Sequence, residues 1–202
     1  MTRKPYASPA RAAAAVRTRA DIVEAAARLL REPAGAEPFS LESVGRKAGV
    51  SRLTVYNHFG SRRALLEAVF DEIAARAGLT RLPEAAGDTD PHRGLARLIE
   101  IFCDFWAAES GAHGWIQGAR AGDAELDAAL EERNQRRKRL LQAIVGRLIA
   151  DDRLAAREDL VDCLYVLTSL PVFAGLTRER GDVDARRLIE AMASDAVRRA
   201  GA

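Results

Sequence analysis

An all-α fold of about nine helices is what this 202-residue sequence predicts. Three observations carry that prediction. Apolar residues recur at i, i+3 and i+4 in segment after segment, and no run alternates with period two. Alanine and arginine are abundant, β-branched residues are sparse and aromatics make up only 5% of the chain, a balance that favours helices over sheets. Glycine, proline and serine fall between the periodic segments, where helices start and stop.

Taken in order, residues 1–17 carry Arg3, Lys4, Pro5, Pro9, Arg11 and Arg17 and show no apolar periodicity before Val16. They read as a flexible basic arm, either a solvated tail or a segment that reaches along phosphates or into a groove of nucleic acid. From Thr18 to Arg31, Ile22, Ala25, Ala26, Leu29 and Leu30 keep helical spacing until Pro33, Gly35 and Pro38 stop it. Ser40 is a good N-cap for a short helix, Leu41 to Ala48, with Ser43 where a capping box has glutamate. Gly49 supplies its left-handed C-cap. Ser51 caps a second short helix, Arg52 to Phe59, and Gly60 ends it; Ser61 caps a longer one with Leu65, Leu66, Val69, Phe70 and Ile73 on one stripe. Residues 78–91 read as a break and a loop. A helix follows from Pro91 to Ala108, with Leu95, Leu98, Ile99, Phe102, Phe105 and Trp106 on one side. A short helix at Gly114–Ala121 precedes a long one over Ala124–Ala150, and Asp151–Asp152 mark a turn. The last two helices are expected near Arg157–Thr177, where Pro171 would introduce a kink, and Asp184–Arg199.

Hydrophobic residues make up 48% and charged residues 30%, a globular balance. Three parts are expected: the arm at 1–17, a small helical head at 18–64 and a helical body at 65–202. Residues 1–70 hold 12 lysines and arginines against six acidic residues, a net +6, while residues 71–202 hold 19 against 23, a net −4. A basic N-terminal third on a mildly acidic body suggests a module for a polyanion attached to something else. Cys103 and Cys163 have no CxxC partner and read as small buried hydrophobes in a reducing compartment. With no stretch of 18 apolar residues and no apolar signal core, neither a membrane span nor export is expected, and the location expected is cytoplasmic. Catalysis finds little support. The histidines are His58, His92 and His113, and no HExxH, GxSxG, GxxxxGK or CxxC is present. No ligand spacing suggests a metal, and no cofactor is expected.

The two short helices joined at Gly49 have the spacing of a helix-turn-helix. With Val50, Val55 and Phe59 turned inward, the second helix presents Arg52, Leu53, Thr54, Tyr56, Asn57 and His58. A merely solvated helix would carry glutamate and lysine instead. Double-stranded DNA gives each of these side chains a use. Arg52 can donate twice to a guanine edge, Leu53 can touch a thymine methyl and Asn57 can pair with an adenine edge or a phosphate. Thr54, Tyr56 and His58 can reach phosphate oxygens or base edges. Ser40, Ser51 and Ser61 sit at helix N-termini, where backbone N–H groups favour a phosphate, and Arg62, Arg46 and Lys47 add positive charge. One such module reads only a few base pairs, so two are needed about 34 Å apart on DNA, which predicts a homodimer. The last two long helices offer Leu160, Val161, Leu164, Tyr165, Leu167 and Thr168, then Leu188, Ile189 and Met192, either as that interface or as intrachain core.

The stretch SLESVGRKAGVSRLTVYNHFGSRRALLEAVF resembles the DNA-binding domain of the TetR, or tetracycline-repressor-like, regulators. The resemblance rests on Ser40, on Ala48-Gly49-Val50-Ser51, on Thr54-Val55-Tyr56-Asn57-His58-Phe59 and on Ser61-Arg62, and it covers about residues 18–75. Leu53 stands where a small residue or proline is common in that family, and Arg62 where lysine is usual. The resemblance implies phosphate contacts for Ser40, Tyr56 and Arg62, base contacts for Arg52, Leu53 and Thr54, pairing through a four-helix bundle of the last helices, and a palindromic operator released on binding a small-molecule effector. It implies repression more often than activation. The alternative is a helical ligand-binding or interaction protein whose head does not read specific DNA.

The family also implies a pocket in the helical body. Candidate lining residues are Phe102, Phe105, Trp106, His113, Trp115, Gln117, Tyr165 and Phe173, an aromatic set with a few polar groups that would suit a mostly apolar ligand or else serve as ordinary core. The stripe of the long helix, Leu126 and Leu130, then Leu141, Ile144, Val145 and Leu148, is interrupted at Asn134 and Arg137. Those two either face a polar pocket end that binds a carboxylate or hydroxyl, or pair with Asp104 or Glu100, or emerge into solvent.

Overall fold

The computed structural model describes residues 9–32, 37–109, 123–149 and 154–201. Among these residues there are nine α-helices, one 3₁₀ turn and no strand. The chain divides into two compact units, one ending at Ile73 and the other beginning at Ala74.

The first unit opens with α1, Pro9–Leu30, which begins well before the expected Thr18. The reason is propensity without periodicity. Proline is at home in a first helical turn, and Ala10 to Ala15 are strong helix formers. All of Pro9–Arg17 is exposed, so no apolar stripe exists to reveal the helix, and this part of the expected arm is helical. Helices α2 (Leu41–Ala48) and α3 (Arg52–Phe59) have the expected bounds, and α4 spans Arg62–Arg76. Ile22, Ala25, Ala26, Val44, Val55, Leu65, Leu66 and Val69 are closed from solvent.

In the second unit the expected loop at 78–91 holds a 3₁₀ turn, Leu79–Arg81, and a short helix, α5 (Leu82–Ala86), that buries Leu82 and Ala85. Five residues are too few for a period to show. Helix α6 (Pro91–Ala108) is capped by Asp90, which accepts from the His92 and Arg93 amides. It packs closely on α5: a Cβ at Gly94 would fall 2.5 Å from the Ala85 carbonyl oxygen. Backbone cannot give way as a side-chain tip can. Gly94→Ala is therefore expected to destabilise the protein by about 1–3 kcal/mol, read as a lower midpoint of thermal unfolding.

Helix α7 (Ala124–Leu148) packs on α6 and on α8 (Leu154–Leu167), and α9 (Leu170–Gly201) packs on both α8 and α6. The helix expected through Thr177 instead ends at Leu167, and α9 leaves it at 51°. Pro171 has no N–H to offer the Leu167 carbonyl, so it sits in the first turn of a new helix rather than at a kink. Conversely, the break expected at 178–183 shrinks to Gly181, whose φ of 75° interrupts an otherwise continuous α9.

The core of this unit gathers Leu98, Ile99, Ile101, Leu141, Ile144, Leu164 and Ile189. Leu160, Val161, Leu167 and Thr168 are buried with them. These residues of the expected pairing stripe thus fill their own chain's core. The large apolar side chains that α8 and α9 leave exposed are Val166, Val183 and Met192. Cys103 is buried, and desolvation pushes its thiol up to about 12. Cys163 is exposed on α8 rather than buried as expected, because it lies beside Asp162 and Val166 on the outward face.

Candidate nucleic-acid interface

The two short helices are held by caps made almost wholly of serine and glycine. At the start of α2 the Ser40 hydroxyl accepts from the Ser43 amide (3.0 Å) while the Ser43 hydroxyl accepts from the Ser40 amide (2.9 Å). Ser43 thus takes the part of the capping-box glutamate, and its buried hydroxyl also donates to the Pro38 carbonyl at 2.8 Å. Gly49 adopts the left-handed conformation (φ 71°); its amide bonds to the Arg46 carbonyl and the Val50 amide to the Gly45 carbonyl at 2.9 Å. That pair of bonds is a Schellman motif. A Cβ at Gly45 would lie 2.9 Å from the Val50 carbonyl oxygen, so the close turn needs a glycine there. Sequence reasoning missed Gly45 and the tie from Ser43 to Pro38.

Ser51 caps α3 by accepting from the Thr54 amide (3.1 Å), and its hydroxyl meets that of Thr54 at 2.9 Å. Ser61 caps α4 through the Ala64 amide (3.1 Å). The hydroxyls at positions 40, 51 and 61 are therefore structural acceptors; that of Ser40 also donates to the Ser43 hydroxyl at 3.0 Å, because Ser43 gives its own hydrogen to Pro38, whereas those of Ser51 and Ser61 can still donate outward. Val55 and Phe59 are buried, while Val50 is half-buried. Along α3, Arg52, Leu53, Tyr56 and Asn57 are exposed, and Thr54 and His58 half-buried. Leu53 is 65% and Tyr56 53% exposed, large side chains that nothing in the first unit covers. No acidic residue lies on this helix.

Two arginines tie the assembly together. Arg62 is half-buried; its Nε donates to the Phe39 carbonyl (3.0 Å) and its guanidinium lies 5.3 Å over the Phe39 ring. It is a clamp between α4 and the approach to α2, not a freely projecting cation. Arg19, which the sequence pattern did not single out, donates to the His58 carbonyl (3.1 Å) and lies 4.2 Å over the Phe59 ring, holding the end of α3 against α1. Its signal was there in principle: an arginine three residues before Ile22, the first residue of the buried apolar face of that helix. On α2, Arg46 pairs with Glu37 and Lys47 with Glu32, which offsets the charge expected from them.

In the second unit the structure brings together Phe102, Trp106, Arg137 and Tyr165. The Trp106 indole N–H (3.0 Å) and an Arg137 Nη1–H (2.8 Å) both donate to the Thr168 carbonyl, at the junction of α8 and α9. The guanidinium centre is 4.2 Å from the Tyr165 ring and 5.7 Å from that of Phe102. Phe105 meets Trp106 edge-on at 4.5 Å, and Phe173 belongs to the same buried core. Asn134, one turn before Arg137, is half-buried. His113, Trp115 and Gln117 lie outside the described residues. Arg137 neither emerges into solvent nor pairs with Asp104 or Glu100, whose partners are Arg81 and Arg186. Among the described residues no group of three or more His, Cys, Asp or Glu could hold a metal, and no single helix is long and apolar enough to cross a membrane.

Residues 22–69 match the family of bacterial regulatory proteins of the tetR type. The chain is 30% identical over 156 residues to the HTH-type transcriptional regulator EthR of Mycolicibacterium smegmatis, an alignment covering 75% of this chain and 68% of that protein. Its fold is similar to that of NalD, the secondary repressor of the MexAB-OprM multidrug efflux pump in Pseudomonas aeruginosa, with a TM-score of 0.61 and 25% identity over 87% of this chain and 94% of that one. A second crystal structure of native NalD gives the same TM-score at 24% identity.

Proposed function

The chain belongs to the tetR family of bacterial regulatory proteins, and we infer from this that it is a transcriptional regulator of the repressor type, released from DNA by a small molecule. The observation that carries the reading is the outer face of α3. Arg52, Leu53, Tyr56 and Asn57 stand uncovered on a helix without a carboxylate, and both ends of that helix are pinned by caps and clamps. Such a surface matches a DNA groove: an arginine fork for guanine, an apolar tip for a thymine methyl, and hydroxyl and amide groups for phosphates or adenine. Tyr56, the O–H groups of Ser51 and Ser61 and the α2 N-terminus at Ser40 would set affinity, with Thr54 and His58 as partly covered neighbours of the contact surface. Arg62 would act chiefly by fixing where Ser40 and Ser61 stand.

Such a protein would act as a homodimer in the cytoplasm, with two α3 helices about one helical turn apart on DNA. The large apolar side chains that α8 and α9 leave exposed to a second copy are Val166, Val183 and Met192, the last of them a member of the expected stripe, and the Cys163 thiol is exposed on α8 as well. The test is selection of bound duplexes from a random DNA pool at moderate salt. The expected outcome is a palindrome whose half-sites are centred about 10 base pairs or a multiple apart. Recovery of a lone half-site would sink the dimer, and failure to enrich any sequence would sink specific DNA reading.

A further inference from the structure

Arg137 is only 7% exposed, and among the described residues no carboxylate pairs with it. Its Nη1 is used on the Thr168 carbonyl, its plane is covered by Tyr165 and Phe102, and its buried Nε has no hydrogen-bond partner. A buried charge left without an opposite charge is strongly unfavourable, and an unmade bond to a buried N–H adds to that cost. The acids that the sequence offers nearby are engaged elsewhere: Asp104 with Arg81 and Arg186, Glu100 with Arg186, and Asp162 with Lys138. Burial pulls the guanidinium pKa down, and Tyr165 opposes that pull. A cation kept at this cost inside an aromatic surround is better explained by an occupant than by packing, because an apolar side chain would fill the same space without penalty.

We propose that the effector of this regulator carries an acidic group, a carboxylate on an apolar body, which is received by the buried, unpartnered Nε of Arg137 with the body against Phe102, Trp106 and Tyr165. An arginine's Nε and neighbouring Nη form a fork that matches a carboxylate with two parallel hydrogen bonds. Because Nη1 of the same guanidinium holds the carbonyl at the α8–α9 junction, the occupant also bears on the 51° bend between those helices. This inference rests on the reading of the chain as a ligand-responsive regulator.

The test uses the full chain and the anionic dye anilinonaphthalene sulfonate, displaced by decanoate or by its uncharged isostere decanamide. Saturable dye binding is expected, with decanoate displacing it at least about tenfold more effectively than decanamide. Equal displacement by both, displacement by neither, or no saturable binding would overturn the proposal. Arg137→Met is expected to remove the preference for the acid while the thermal midpoint holds or rises. An unchanged preference in that variant would also overturn it. Should Arg137→Met not fold, the wild-type comparison of acid with amide still decides. A gel shift with the selected operator separates the two readings. Failure of all DNA binding would count against the regulator and leave the preference for acid readable, whereas DNA release by acid and amide alike would count against the acidic effector alone.

Discussion

Arg52→Ala is expected to weaken operator binding by about 1–3 kcal/mol, or roughly five- to 150-fold, and to relax the choice of base at one position of each half-site. The size follows from geometry: Arg52 is exposed in the first turn of α3, where a recognition helix meets base edges, and a guanidinium can hold a guanine by two bonds. The free protein should not notice the change, since Arg52 carries no packing, and its stability should stay within about 0.5 kcal/mol of the wild type. Binding measured across a salt series distinguishes two roles. If Arg52 reads a base, loss of affinity is concentrated on the cognate sequence and the salt slope barely moves. If it sits on a phosphate, affinity falls evenly across sequences and the slope drops by about 1. Leu53→Ala is a companion with a different signature. With 65% of its surface exposed, Leu53 contributes little to the fold, so its truncation should shift preference at a thymine without altering salt dependence.

Sequence legibility was uneven, for physical reasons. The α2–α3 pair was readable to the residue because each boundary is set locally, by a serine oxygen on an amide or by a glycine at positive φ, and such chemistry needs no tertiary context. The start of α1 was hidden because its first two turns are exposed, and a solvated alanine-rich helix has no stripe. In the α8–α9 region the helix end was misplaced at Thr177, and the apolar stripe left two readings open, a surface for a second copy or intrachain core; Leu160, Leu164 and Ile189 close the core of the second unit, because periodicity reports that a face is buried and not what buries it. Arg137 shows the same limit from the other side. The interrupted stripe was visible in the sequence, but whether the interruption met solvent, an acid or neither depended on where Asp104, Glu100 and Thr168 come to lie, which no local pattern encodes. Arg19 and Arg62 belong to this class too: long side chains whose partners are main-chain carbonyls 39 and 23 residues away.

Gly45→Ala is expected to have the second large effect, and its sign is not the one that helix propensity gives. Alanine is favoured over glycine inside a helix by about 1 kcal/mol, so propensity alone predicts a more stable protein. At position 45 the added methyl would meet the Val50 carbonyl oxygen at 2.9 Å and the Ser51 and Arg52 backbone at 3.3 and 3.4 Å. None of these can swing aside, because the Val50 amide is bonded back to the Gly45 carbonyl and Ser51 is the cap of α3. The turn must open, at a cost of about 1–3 kcal/mol that outweighs the propensity gain. Opening it also re-aims α3, so operator affinity should fall by more than stability alone explains, on the order of tenfold or greater even where the variant is fully folded. Gly146→Ala supplies the control. It is an exposed glycine within α7 with nothing within 4 Å of the new methyl, and there the propensity term acts alone. That variant should be stabilised by about 0.5–1 kcal/mol with DNA binding unchanged. Thermal melts and gel shifts on the two variants side by side decide the matter. Stabilisation by both would show that the α2–α3 turn has slack and that position 45 has no steric need of a glycine.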